Sequence, residues 1–164
     1  MAMYSFNQMD IATAREIADT WKYEAPFDFH DATADPDDYQ EFVNPDSWPS
    51  IFYSVWEQQE LRGFFSMSST EHGTGVGVGM RPNLVGRGAG TEFVRACLGY
   101  AKDRCGVSGS ITLSVASFNA RAIKVYERFG FRATGQYKQP TNGSVFDFVR
   151  MELTPGGDND GITD

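Results

Sequence analysis

Apolar residues along the chain recur either every second position or every third to fourth, in short stretches that predict alternating strands and helices. Residues 3 to 7 read as a first strand, and Ile11, Ala14, Ala18 and Trp21 then paint one face of a helix from about Asp10 to Trp21. Asp10 stands at its start, where a carboxylate meets N–H groups that the helix leaves unpaired. Asp35-Pro36 followed by Asp38 opens a shorter helix carrying Tyr39 and Phe42. Ser50 to Trp56 and Leu61 to Met67 alternate as a hairpin turning through Glu57-Gln58-Gln59-Glu60, and Ser68 to Thr74 reads as a polar connection. Val76, Val78 and Met80 alternate with glycines in a strand that Pro82-Asn83 stops. The next helix runs to about Arg104 with Phe93, Val94, Cys97, Leu98 and Ala101 inward, and Gly106 ends it. Ile111, Leu113 and Val115 make a strand, and Asn119 opens a helix whose Ala122, Ile123 and Tyr126 share a face. Phe131 to Lys138 and Val145 to Leu153 pair through Asn142-Gly143, a strong hairpin signal. Thr154 to Asp164 has little to bury and reads as a flexible acidic tail.

Composition narrows the class. A chain of 164 residues, 41% hydrophobic, supplies one sizeable core and no second. No run of apolar residues is long enough for a membrane span, and no charged-then-apolar leader precedes the first strand, so a cytoplasmic protein without a membrane partner is expected. Cys97 and Cys105, eight apart in one helix, lack the spacing of a metal site or a disulfide framework; both read as packing residues, and no metal is expected. A formal charge of −8 argues against a nucleic-acid partner, which needs a basic stripe to displace counterions, and suits a cationic one. Ten acids and no Lys or Arg fall between Lys22 and Arg62, interleaved with Tyr23, Phe27, Phe29, Tyr39, Phe42 and Trp48. A solvated loop explains the acids but not the aromatic residues, which are costly to leave in water.

Candidate chemistry centres on Gly86-Arg87-Gly88-Ala89-Gly90, which removes side chains where successive backbone N–H groups enter a helix. Such a turn meets an anion, a phosphate or pyrophosphate above all. Gly90 is followed by Thr91-Glu92 rather than by Lys and Ser or Thr, which excludes a Walker-type loop. The glycine spacing also misses that of the dinucleotide fingerprint. The loop resembles the acyl-coenzyme A loop of the GNAT N-acetyltransferases, Gln/Arg-x-x-Gly-x-Gly/Ala, with Gly88 and Gly90 at the glycine positions and Val85 departing from the pattern at the first. Residues 111 to 131 resemble the other half of the GNAT core: a buried strand, Asn119 and Ala122 as Asn-x-x-Ala, then Tyr126-Glu127-x-x-Gly130-Phe131.

The resemblance implies an α/β GNAT fold over residues 1 to 153: one mixed, mostly antiparallel sheet flanked by helices and splayed into a V between the strands at 75–81 and 110–116. It implies an acetyl-CoA-dependent N-acetyltransferase that moves the acetyl group directly to a primary amine of a small molecule or peptide. Coenzyme A is expected on the backbone of Val85, Gly86, Arg87, Gly88, Ala89 and Gly90, with the pantetheine arm along Met80 and beside Asn119. Tyr126 is expected as the general acid toward the departing sulfur. Asn119 would also cap its helix without any ligand. The general base is the open position, because residues 73 to 81 hold no carboxylate; Glu71 is the named candidate, with His72, Glu57 or a water as alternatives. The aromatic and acidic segment after Lys22 is expected to form one wall of the acceptor cleft. Homodimers occur in the family, although no residue here marks an interface. A non-catalytic acyl-CoA sensor or interaction module is the rival reading, and a hydroxyl at Tyr126 favours the enzyme.

Overall fold

The computed structural model describes residues 3–23, 36–71, 73–84, 88–141 and 144–154. Seven strands, β1 (Ser5–Gln8), β2 (Ile51–Glu57), β3 (Glu60–Thr70), β4 (Gly73–Met80), β5 (Ile111–Ala116), β6 (Arg132–Thr141) and β7 (Ser144–Leu153), form one sheet in the order β1-β2-β3-β4-β5-β7-β6. Four helices complete it: α1 (Ile11–Thr20), α2 (Pro36–Val43), α3 (Gly90–Arg104) and α4 (Ala120–Arg128). This is the element order that the hydrophobic pattern predicts. Outside the described residues fall Val85, Gly86 and Arg87, His72, the 24–35 part of the acidic segment, the Asn142-Gly143 turn, and the tail from 155 onward.

Capping accounts for the helix starts. Asp10 Oδ1 accepts from the Thr13 backbone N–H at 2.7 Å, and Asn119 Oδ1 accepts from that of Ala122 at 3.2 Å. In α1 the buried residues are Ala14, Ile17 and Ala18. Ile11, expected on the same face, is 45% exposed, because the first turn overhangs the core.

Two hydrophobic clusters form, one on each face of the sheet. Phe65, Met67, Phe93, Val94, Cys97, Leu113 and Val115 belong to the cluster under α3 and α4, with Val76, Val78, Met80 and Tyr126 packed against it. Ile17, Trp21, Phe52 and Leu61 belong to the cluster under α1 and α2, joined by Phe42, Trp48 and Phe64. The aromatic residues of the acidic segment are thereby explained in part by packing rather than by a cleft wall. Phe42 and Trp48 are core residues, and the Tyr39 hydroxyl donates to Asp19 Oδ1 at 2.7 Å.

One expected loop is not a loop. Ser68, Ser69 and Thr70 continue β3 and pair with Gly75, Thr74 and Gly73. Gly73, at φ 123°, turns the chain in a way that a side chain would strain, and Thr70 Oγ1 donates to the Gly73 carbonyl at 3.0 Å. Residues 68 to 70 are polar because this end of the hairpin faces solvent.

All neighbouring strands are antiparallel except β4 and β5, which run parallel and pair only at Thr74↔Ile111 and Gly75↔Thr112. Beyond Gly75 no further pair joins them, and the sheet opens into the expected V. Gly75 and Thr112 share a face, so Gly77, Gly79, Ser114 and Ala116 lie on that face. Val76, Val78, Leu113 and Val115 lie on the other, toward α3 and α4.

Candidate active site

The V is a cleft of about 750 Å³, within the range of small-molecule sites. Residues from both faces of the sheet line it: Val78, Leu113 and Tyr126 from the α3–α4 side, Phe64, Gly77 and Ser114 from the other. The cleft is lined from both faces of the gap between β4 and β5; its α3 side is termed the first mouth and its Phe64 side the second.

At the first mouth α3 begins. Gly88, Gly90 and Thr91 line the cleft. Ala89 occupies the cap position and makes no side-chain cap, so no cap side chain covers the start of the helix. Gly88 has φ +81°, a conformation that favours glycine, and nothing stands within 4 Å of a Cβ added there; a Cβ on Gly90 would meet only Val125, at 3.5 Å. Open space over a bare helix start suits an anion. Arg121, Lys124 and Arg128, at spacings of three and four on α4, line the same cleft and add positive charge. That basic stripe was readable in the sequence, but its residues carry no motif and were missed. The diphosphate of coenzyme A fits this donor set.

Inside the cleft stands Tyr126, its ring edge-on to Phe131 with centroids 5.7 Å apart. Burial, with a smaller contribution from the neighbouring Cys97 thiol, pushes its hydroxyl up to about 12, so it carries a proton at neutral pH. Burial also pushes the Cys97 thiol up, in keeping with a packing role. Asn119 lines the cleft while serving as the α4 cap, which occupies its carbonyl oxygen and leaves its amide donors. Met80, at the cleft end of β4, has a carbonyl that accepts from the Tyr23 hydroxyl at 2.8 Å. Tyr23 belongs to the aromatic segment expected on the acceptor wall, and its bond to the Met80 carbonyl ties that segment to the end of β4. The open edge of β4 from Val76 to Met80 faces the gap left by β5.

Glu71 does not join the site. It is exposed, sits in the turn between β3 and β4 where the V is closed, and does not line the cleft. The eight residues of β4, Gly73–Met80, at about 3.3 Å each, put it more than about 20 Å from Met80. Glu57, an alternative base, lies 3.4 Å from Arg62, whose guanidinium also reaches Glu60 at 3.5 Å. Of the ten acids between Lys22 and Arg62, Asp37, Asp38, Glu41, Asp46, Glu57 and Glu60 are described, and none lines the cleft. Among the described residues no cluster of three or more His, Cys, Asp or Glu can hold a metal, and no helix is long and apolar enough to cross a membrane.

A split sheet, a helix start without a side-chain cap at one mouth and a protonated tyrosine within suit an acyl-coenzyme A guest. Residues 14–131 match the family model described as the acetyltransferase (GNAT) family, and the chain belongs to that family. It is an acetyltransferase. No curated protein matches the sequence. Among solved structures, a chimera of the Vibrio cholerae spermidine N-acetyltransferase SpeG and hSSAT is similar, with a TM-score of 0.74 and 20% identity over 93% of this chain and 96% of that one. The Vibrio cholerae spermidine N-acetyltransferase in complex with CoA and spermine has a TM-score of 0.68 and 20% identity over 93% of this chain and 96% of that one. Salmonella typhimurium yncA with its cofactor acetyl-CoA has a TM-score of 0.62 and 21% identity over 92% and 93%.

Proposed function

We propose that the protein transfers an acetyl group from acetyl-CoA directly to a primary amine that enters the cleft at the mouth opposite α3. The observation that carries this reading is the cleft itself, which lies at the gap between β4 and β5 with Tyr126 inside it. When bound, acetyl-CoA supplies an acyl carbon activated as a thioester. The backbone N–H groups of Gly88, Ala89 and Gly90 bind its diphosphate, together with those of Val85, Gly86 and Arg87, which lie outside the described residues. Arg121, Lys124 and Arg128 add screened attraction to the same phosphates. The open edge of β4 and the Asn119 amide orient the arm, which converts an encounter into a held geometry. Tyr126 keeps a proton on its Oη within reach of a departing group.

The acceptor is a cationic amine on this reading. A chain of net charge −8 draws cations toward itself and repels acidic substrates. The similar Vibrio cholerae enzyme is named for spermidine, which is in keeping with that. The test is a panel of spermidine, phenethylamine, kanamycin and a lysine-rich peptide with acetyl-CoA, followed by release of free thiol. Amine-dependent thiol release is expected, greatest with the most cationic acceptors. Tight acetyl-CoA binding with no amine-dependent release would favour a sensor and overturn the reading.

A further inference from the structure

The second mouth has its own construction, and the geometry points to Phe64 and Tyr23 as the residues that select the acceptor, by packing against the carbon chain that carries the amine. The inference rests on the acetyltransfer reading above and adds to it the class of acceptor: a primary amine on an unbranched apolar chain, as in an alkylamine or a polyamine.

Phe64 lies on β3 directly opposite Gly79 of β4. A Cβ added at Gly79 would stand 2.3 Å from Phe64 Cε1 and 2.5 Å from its Cζ, so the phenyl ring occupies the place of the side chain that β4 lacks. That ring lines the cleft. It is fixed from behind by the second core cluster, with Phe42, Trp21 and Phe52 centroids 5.3, 6.1 and 6.2 Å away. A ring held on three sides does not swing away to admit a bulkier guest, and it presents an apolar wall.

Tyr23 follows α1 and lines the same cleft. Its hydroxyl donates to the Met80 carbonyl at 2.8 Å, which anchors the aromatic ring to the end of β4. On the same face Gly77 and Ala116 offer no bulk, and the Ser114 hydroxyl is tied to that of Tyr137 at 2.6 Å. A slot with aromatic walls and small residues between them favours methylenes, each worth about fourfold in affinity when fully removed from water.

The experiment is calorimetric titration of ethylamine, propylamine and butylamine into protein saturated with coenzyme A, which lacks the acetyl group and cannot turn over. Affinity should rise about fourfold per added methylene in the natural protein. In Phe64→Ala that dependence should fall toward none, with coenzyme A affinity unchanged. Gly79→Ala approaches the same ring from the other side: it keeps Phe64 and the second core but displaces the ring, and it should flatten the dependence too. Tyr23→Phe keeps the ring but removes its anchor to Met80, and should weaken the dependence less than Phe64→Ala does. A chain-length dependence that is absent in the natural protein, or unaltered in both Phe64→Ala and Gly79→Ala, would overturn the inference while leaving coenzyme A binding intact. Failure of coenzyme A to bind the natural protein would instead overturn the acetyltransferase reading itself.

Discussion

On the α3–α4 face of the split, β4 presents Val76, Val78 and Met80 and β5 presents Leu113 and Val115, an apolar wall continuous with the core. On the α1–α2 face the same strands present Gly75, Gly77 and Gly79 with Thr112, Ser114 and Ala116, and the bulk comes from Phe64 on the next strand. Both faces are written in one alternating sequence, since successive residues of a strand point opposite ways. On the proposed reading the two-residue period allots one wall to a held arm and the other to an incoming guest. What differs is where the fixed groups come from. The first mouth uses the backbone of one glycine-rich turn and a stripe of cations along one helix, each contained in a single short stretch, whereas the second takes single side chains from separate elements at Tyr23 and Phe64, set against Gly79.

That difference can be broken one mouth at a time. The largest effect is expected inside the cleft: Tyr126→Phe removes one hydroxyl and little packing, and should lower turnover by about 10²- to 10⁴-fold with acetyl-CoA affinity nearly unchanged, read by steady-state rates beside calorimetry. Because burial raises this hydroxyl to about 12, its proton is retained up to at least about pH 10, the ordinary tyrosine value. The sign for stability is that of a raised group: the neutral form's contribution is complete below about pH 10 and is lost as pH climbs toward 12. A fall in turnover centred near neutral pH that disappears in Tyr126→Phe would contradict this.

At the first mouth, Gly90→Glu adds a negative charge where a Cβ fits without strain, so affinity tests charge rather than folding. Like charges about 4 Å apart at an effective dielectric of about 20 cost about 4 kcal/mol, so acetyl-CoA affinity should fall by at least about 10²-fold in calorimetry. Lys124→Gln sharpens the same point on a smaller scale. A partly solvated ion contact is worth up to about 1 kcal/mol, so affinity should fall by up to about fivefold, and less at high salt. The smallest effect separates cap from ligand. Asn119→Ala removes the α4 cap at a cost of about 1 kcal/mol, which should lower Tm by about 2 to 4 °C in a thermal melt.

Legibility followed the same division. The element order, the caps at Asp10 and Asn119, and the paired signatures at 88–90 and 119–131 all depend on residues near one another in the chain, and periodicity and spacing reveal them. The hairpin at 68–75 was hidden because a strand end in solvent has the composition of a loop, and only pairing to Gly73 and Gly75 shows it to be strand. Glu71 was attractive because it precedes the glycine-rich strand, yet strand length carries it to the closed end of the V. Phe64 could not be read as a site residue, since its place against Gly79 depends on strand pairing, and Tyr23, expected only within a cleft wall, meets Met80 57 positions along the chain. Single-residue patterns do not encode a contact between three separate segments.

Two mouths with separate guests on one cleft are tested most directly by backbone amide spectroscopy of the ¹⁵N-labelled protein. Titration with coenzyme A should shift the amides of Gly88, Gly90 and Thr91 and leave those of Tyr23 and Phe64 nearly still. Butylamine added afterward should move Tyr23, Phe64 and Gly79 with little further change at Gly90. Amine-induced shifts confined to the start of α3, or coenzyme A shifts centred on Phe64, would contradict the account.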